Sequence, residues 1–140
     1  WIALSTPEER QALGIQEFEE QQRPDDRFYI VTDNGDGTYS TIAKDLEDGD
    51  EYVDLRGVTR RVQGLKSHWV AQIKDTANKM LQPTDWMVWR KFERSIEIPE
   101  AAALKRAAIL AEAARLEEAI EVCTTVEELV GVLAAQNWGE

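Results

Sequence analysis

The hydrophobic pattern of the chain changes character near its middle. From Leu65 to Leu81 apolar residues recur at Leu65, Trp69, Ile73, Ala77 and Met80, with Lys66, Lys74, Asp75, Asn78 and Lys79 between them. Steps of three and four place those apolar side chains on one face of an α-helix. Pro83 predicts the stop, Thr84 or Asp85 a cap for a following short helix, and Trp86, Trp89, Phe92 and Ile96 an aromatic edge along it. Pro99 opens a third helix with Glu100 beside its positive end. Over 99–122 one stripe runs Ala102, Arg106, Ile109, Ala113, Leu116, Ile120 and Cys123, and a second runs Ala103, Ala107, Leu110 and Ala114. Two adjacent stripes make a face wider than a coiled-coil seam, and small side chains allow close helix approach, so bundling is expected. A last helix opens at Thr124 or Thr125, with Glu127 or Glu128 placed for a capping box. It turns Val126, Leu129, Val130 and Leu133 inward and is expected to end near Asn137, Trp138 and Gly139.

The front of the chain is less regular. Thr6 as cap, Pro7 at the first helical position, Glu9 three residues after the cap and Gly14 as the stop predict a helix of about two turns. Its apolar side, Ile2, Leu4, Ala12, Leu13 and Ile15, is too small to fold alone. Residues 16–26 are polar, acidic and broken by Pro24, which predicts a linker with Phe18 as an anchor. Apolar and aromatic residues over 27–32, a Gly-rich turn and a second run over 38–43 predict a β-hairpin. An acidic loop over 44–51 precedes a third strand, Tyr52 to Leu55, and Val58 to Val62 forms either a further strand or a turn into the helix. The whole reads as an α+β chain: a short N-terminal helix and β-hairpin on a partly extended, acidic arm over 1–60, followed by a bundle of about four α-helices over 61–140.

Charge sharpens this division. Residues 1–60 carry 15 acids and 6 bases, net −9, whereas 61–140 carry 12 acids and 10 bases, net −2. Residues 56–106 alone hold 11 bases and 5 acids, net +6, so an acidic arm and a basic middle attract each other within one chain or between copies. The overall charge of −11 and the absence of a clustered aromatic platform among the bases argue against direct nucleic-acid binding. No run approaches the roughly 20 apolar residues of a membrane span, which predicts no membrane partner and synthesis in the cytosol. The single cysteine, Cys123, falls on an apolar stripe and reads as a small core residue.

Candidate chemistry is sparse. Asp33, Asn34, Gly35, Asp36 and Gly37 resemble a calcium loop at a glance, but an EF-hand count from Asp33 puts glycines at ligand positions three and five and Lys44 at position twelve. The same residues suit a hairpin turn, because Asn-Gly and Asp-Gly pairs tolerate positive φ. His68 is the only histidine, which excludes a multi-histidine metal site. The acid pairs Glu8/Glu9, Glu19/Glu20, Asp25/Asp26 and Glu117/Glu118 are sequence neighbours and read as solvated surface. No phosphate-cradling glycine loop or nucleophile elbow is present, so neither an enzyme nor a cofactor is expected. The five tryptophans read as core or interface anchors. Candidate interface residues in the front half are Trp1, Phe18, Phe28 and Tyr29. In the back half they are Trp86, Trp89, Arg90, Lys91, Ile109, Leu116, Ile120 and Trp138, with Arg90, Lys91 and Arg94 suited to an acidic segment such as the chain's own arm.

The run from Lys74 to Trp86 ends in a Leu-x-x-Thr-Asp-Trp pattern at Leu81, Thr84, Asp85 and Trp86, and is followed by Arg90, Lys91, Ile98, Pro99 and the Ala-rich helix. This run resembles the C-terminal part of small tail or tail-fibre-associated proteins of tailed bacteriophages. The segments Trp1 to Ser5, Glu8 to Arg10, Leu13 to Ile15 and Arg23 to Tyr29 are similar to such proteins as well. The resemblance implies a structural virion protein of a tail, baseplate or tail fibre, working as a homo-oligomer in a symmetric assembly with other tail proteins, and no catalytic residues to carry over. Two other roles fit the same residues: a fibre assembly chaperone absent from the mature particle, and an acidic, phage-encoded regulatory protein.

Overall fold

The structure is a computed structural model that describes residues 6–14 and 21–139. The order is α1 (Pro7–Ala12), β1 (Tyr29–Asp33), β2 (Tyr39–Ala43), β3 (Glu51–Val53), β4 (Thr59–Arg61), α2 (Leu65–Leu81), a 3-10 turn (Gln82–Thr84), α3 (Asp85–Arg94), α4 (Glu100–Val122) and α5 (Val126–Ala134). The class is α+β as expected, with two small hairpins followed by helices. The chain divides into two compact units, Trp1–Ile42 and Ala43–Glu140.

In the first unit α1 forms for the reason its sequence suggested. The Thr6 hydroxyl accepts the Glu9 N–H at 3.3 Å, and the Glu9 carboxylate accepts the Thr6 N–H at 2.9 Å. The helix buries no residue, and Leu13 beside it is 58% exposed. Ile2, Leu4, Ile15 and the anchor Phe18 lie outside the described residues. A turn at Asp25 brings Phe28 to 4% exposure, with the Arg27 guanidinium 5.5 Å from its ring centre. The β1–β2 turn uses its acids as turn acceptors: Asp33 takes the Gly35 N–H at 2.8 Å and Asp36 the Thr38 N–H at 2.9 Å. Gly35 and Gly37 adopt φ of 77° and 84°, which a side chain would resist.

In the second unit β3 and β4 pair antiparallel, with Glu51 opposite Arg61, Tyr52 opposite Arg60 and Val53 opposite Thr59. Within 58–62, Thr59–Arg61 thus form a further strand. Its turn is organised by Asp54, which accepts the Arg56 and Val58 N–H groups at 2.9 and 3.0 Å and Arg60 Nε at 2.6 Å.

The acidic loop over 44–50 lies in the same compact unit as α2 to α5, which begins at Ala43. The first N–H groups of a helix have no partner inside it. Here the Asp45 carbonyl accepts the Leu65 N–H at 2.9 Å and the Leu46 carbonyl accepts the Lys66 N–H at 3.0 Å. The loop therefore caps α2 with its own backbone. Gly64 permits this approach, because a Cβ there would overlap the Glu47 and Leu46 carbonyls.

Helix α2 packs chiefly on α4, and α4 on α5. Leu65, Ile73, Ala77 and Leu81 from α2, Ile109, Ala113, Leu116 and Ile120 from α4, Cys123, and Val126 and Leu129 from α5 form the buried core. The expected first stripe of α4 is therefore the core stripe, and Cys123 is a core residue at 5% exposure. The capping box of α5 forms between Thr125 and Glu128. The helix stops at Ala134, earlier than expected, and residues 135–139 leave it as a non-helical tail.

Candidate interaction surface

Helix α3 is built outward. A ten-residue helix has room for one apolar face, and on α3 that face carries Trp86, Val88, Trp89 and Phe92, continued by Ile96 beyond its end. These residues are 53%, 40%, 65%, 83% and 42% exposed, and α3 buries no residue at all. The half-buried positions are Asp85, Met87, Arg90 and Lys91, so apart from Met87 the better-covered side is the charged one. This inverts the usual arrangement of a surface helix, whose apolar stripe faces its own core.

Arg106 fixes where α3 begins. It stands in the first α4 stripe and donates from one guanidinium nitrogen to the Leu81 carbonyl at 2.9 Å and to the Thr84 hydroxyl at 2.7 Å. The same nitrogen lies 3.0 Å from the Asp85 carboxylate. One cation thus ties the end of α2, the 3-10 turn and the start of α3 to α4. Thr84 occupies the N-cap position without accepting a side-chain cap bond, and its hydroxyl donates to the Leu81 carbonyl at 3.0 Å. Ser95 closes α3 in a left-handed conformation at φ 56°.

Two of the basic residues on α3 have local partners. Lys91 pairs with Glu97 at 2.7 Å, and the Arg90 guanidinium lies 4.7 Å from the Trp86 ring centre in a cation–π contact. Among the described residues neither Arg90 nor Glu93 makes an ion pair, and the buried Nε of Arg90 has no hydrogen-bond partner.

The second stripe of α4 is also uncovered. Ala103, Ala107, Leu110 and Ala114 are all exposed, Leu110 at 55% and the neighbouring Leu104 at 66%. Ile109, Leu116 and Ile120, expected at an interface, are instead 1%, 0% and 0% exposed inside the chain's own core. The two stripes are adjacent, but α2 and α5 cover only one of them. Phe28 is likewise already covered, Tyr29 and Trp138 are half-buried, and Trp1 and Phe18 lie outside the described residues. Of the expected interface residues, Trp86 and Trp89 are the ones that stand open on a shared face, with Arg90 and Lys91 on its flank.

A buried carboxylate that the sequence did not single out secures the tail. Glu112 is 8% exposed and accepts two bonds from Arg115, at 2.8 and 2.6 Å, and the Asn137 N–H at 2.8 Å. Arg115 also donates to the Ala135 carbonyl at 3.2 Å. The bonds from Arg115, followed by that from Asn137, hold the Glu112 carboxyl below its ordinary range. Its position beside the core stripe and its three-residue spacing to Arg115 were the available signal; the backbone partner in the tail left none.

The single histidine and the single cysteine stand in different surroundings. His68 is exposed and packs edge-on against Trp69 at 5.4 Å between ring centres. Burial pushes the Cys123 thiol upward, away from the thiolate that a nucleophile needs. An open hollow of about 590 Å³ between the 43–49 loop and residues 124–127 is flanked by Asp45, Glu47, Asp48 and Glu127. No group of three His, Cys, Asp or Glu side chains among the described residues is placed to hold a metal ion. No helix there is long and apolar enough to cross a membrane. No known protein family, curated protein or solved structure matches this chain.

Proposed function

We propose that this chain is a structural component of a tailed-bacteriophage virion, in the tail, baseplate or tail fibre. It works without catalysis or cofactor, through contacts with other tail proteins and with copies of itself. The observation that carries the reading is α3, whose aromatic face is held toward solvent by a helix start tied down at Arg106. Exposed aromatic clusters on a rigid support are a hallmark of protein interfaces. The resemblance of residues 74–99 to small phage tail proteins supplies the virion, and it spans the same helix corner that presents this face.

The test is mass spectrometry of purified particles of the phage that encodes the chain, followed by its location in a particle reconstruction. The chain is expected in the mature particle, with α3 against a neighbouring protein. Presence in infected lysate and absence from particles would replace the structural reading with that of an assembly chaperone. A chain bound to neither particles nor tail proteins would overturn both.

A further inference from the structure

The face on α3 carries a charge pattern as well as an apolar one, and the pattern is self-complementary. Arg90 and Glu93 flank Trp86 and Trp89 at three-residue spacing, and neither makes an ion pair among the described residues. A twofold contact requires one patch to match itself, so that each residue i meeting j is repeated as j meeting i. An antiparallel pair of α3 helices with its axis between residues 91 and 92 places Arg90 of one copy opposite Glu93 of the other, twice. In the same register Phe92 of each copy lies half a residue from the axis, Trp89 lies within two residues of the level of Phe92 of the other copy, and Trp86 within one residue of the level of its Ile96. A parallel pairing would put Arg90 and Glu93 of the two copies on opposite sides of the contact, without these ion pairs.

We infer that α3 pairs antiparallel with α3 of a second copy, through Trp86, Trp89, Phe92 and Ile96, and that two reciprocal Arg90–Glu93 ion pairs set the register. This rests on the assembly reading above and names the contact between copies. The exposed fractions of those apolar residues and Val88 amount to roughly 500 Å² per copy, since an aromatic side chain offers about 150–250 Å². Complete burial of both faces would remove about 1,000 Å² in total, the size of a weak or transient contact. The contact is therefore a small one, strengthened where many copies are arrayed.

Sedimentation equilibrium of the full chain across a concentration series tests this. The unmodified chain is expected to dimerise. Glu93→Arg and Arg90→Glu, each placing like charges across the axis, are each expected to weaken dimerisation about tenfold or more. The double variant carrying both reversals is expected to restore it to within about threefold, a recovery that a folding defect cannot mimic. Because Phe92 is 83% exposed, Phe92→Asp leaves the fold intact and is expected to abolish the dimer. A monomer at every concentration, or a dimer indifferent to both charge reversals and to Phe92→Asp, would overturn the α3 contact. In either case particle association of the same chain, measured separately, still decides the assembly reading, so the two can fail independently.

Discussion

Helices α4 and α3 are both written with apolar stripes, yet they use them in opposite directions. The first stripe of α4 is closed: Ile109, Leu116 and Ile120 are at most 1% exposed against α2 and α5. The face of α3 is open, with Phe92 at 83% exposure and Trp89 at 65%. Side-chain type alone does not separate them, since a tryptophan offers at least as much apolar area for packing as an isoleucine. What separates them is how many neighbours the fold supplies. Helix α4 is flanked by two helices, whereas α3 is anchored at its start and meets little else. A stripe with a neighbour stabilises the chain, and a stripe without one is available to a partner.

This contrast predicts a steep gradient of mutational effects. The largest belongs to the closed stripe. Leu116→Ala removes a fully buried side chain that its neighbours cannot collapse around, and is expected to cost about 2–5 kcal/mol in urea unfolding. A loss below about 1 kcal/mol would mean that the α4 stripe is not the core.

Next comes the joint between the two helices. Arg106→Ala leaves the Leu81 carbonyl, the Thr84 hydroxyl and the Asp85 carboxylate without their shared cation, and is expected to cost about 1.5–3 kcal/mol. The loss should concentrate at the corner, and hydrogen exchange would show it as faster exchange at the start of α3 than in the middle of α4. Uniform loss of protection across both helices would contradict the idea of a local joint.

The tail clamp gives a smaller effect with a pH signature. Glu112 is held below its ordinary range in the folded chain, so its ionised form favours folding. That contribution is fully present above the ordinary glutamate range and is lost as pH falls through the lower, folded value. Glu112→Gln is expected to cost about 1–2 kcal/mol near neutral pH. It should also flatten the acid limb of stability against pH, measured as the urea midpoint between pH 6 and pH 2.5. An unchanged acid limb would show that other carboxylates control it.

Much of the contrast could be read in the sequence. The span 65–81 matched α2 because Leu65, Ile73 and Ala77 keep helical spacing and Pro83 ends the run. The boxes at Thr6 and Thr125 were legible because capping is chemistry between near neighbours. Which α4 stripe would be covered was not legible, since both have the right spacing and only the positions of α2 and α5 choose between them. Arg106 offered a hint, a charged residue inside an apolar stripe, but its acceptors lie 21 to 25 positions away in the chain. The capping of α2 by the Asp45 and Leu46 carbonyls was hidden altogether, because a backbone acceptor leaves no mark on residue identity.

The smallest expected effect on stability is the most informative about the open face. Phe92 has lost little of its contact with water on folding, so Phe92→Ser removes almost no buried area from the chain. Its unfolding free energy, measured at a concentration low enough to keep the chain monomeric, is expected to change by less than about 0.5 kcal/mol. At high concentration the unmodified chain should gain stability through mass action and the variant should not. The difference between the two chains therefore grows with concentration if α3 is a docking face. It stays constant if Phe92 is a passive surface residue, and it is already large in dilute solution if the ring is sheltered within the single chain. Only the first pattern keeps the opposition between the closed helix and the open one.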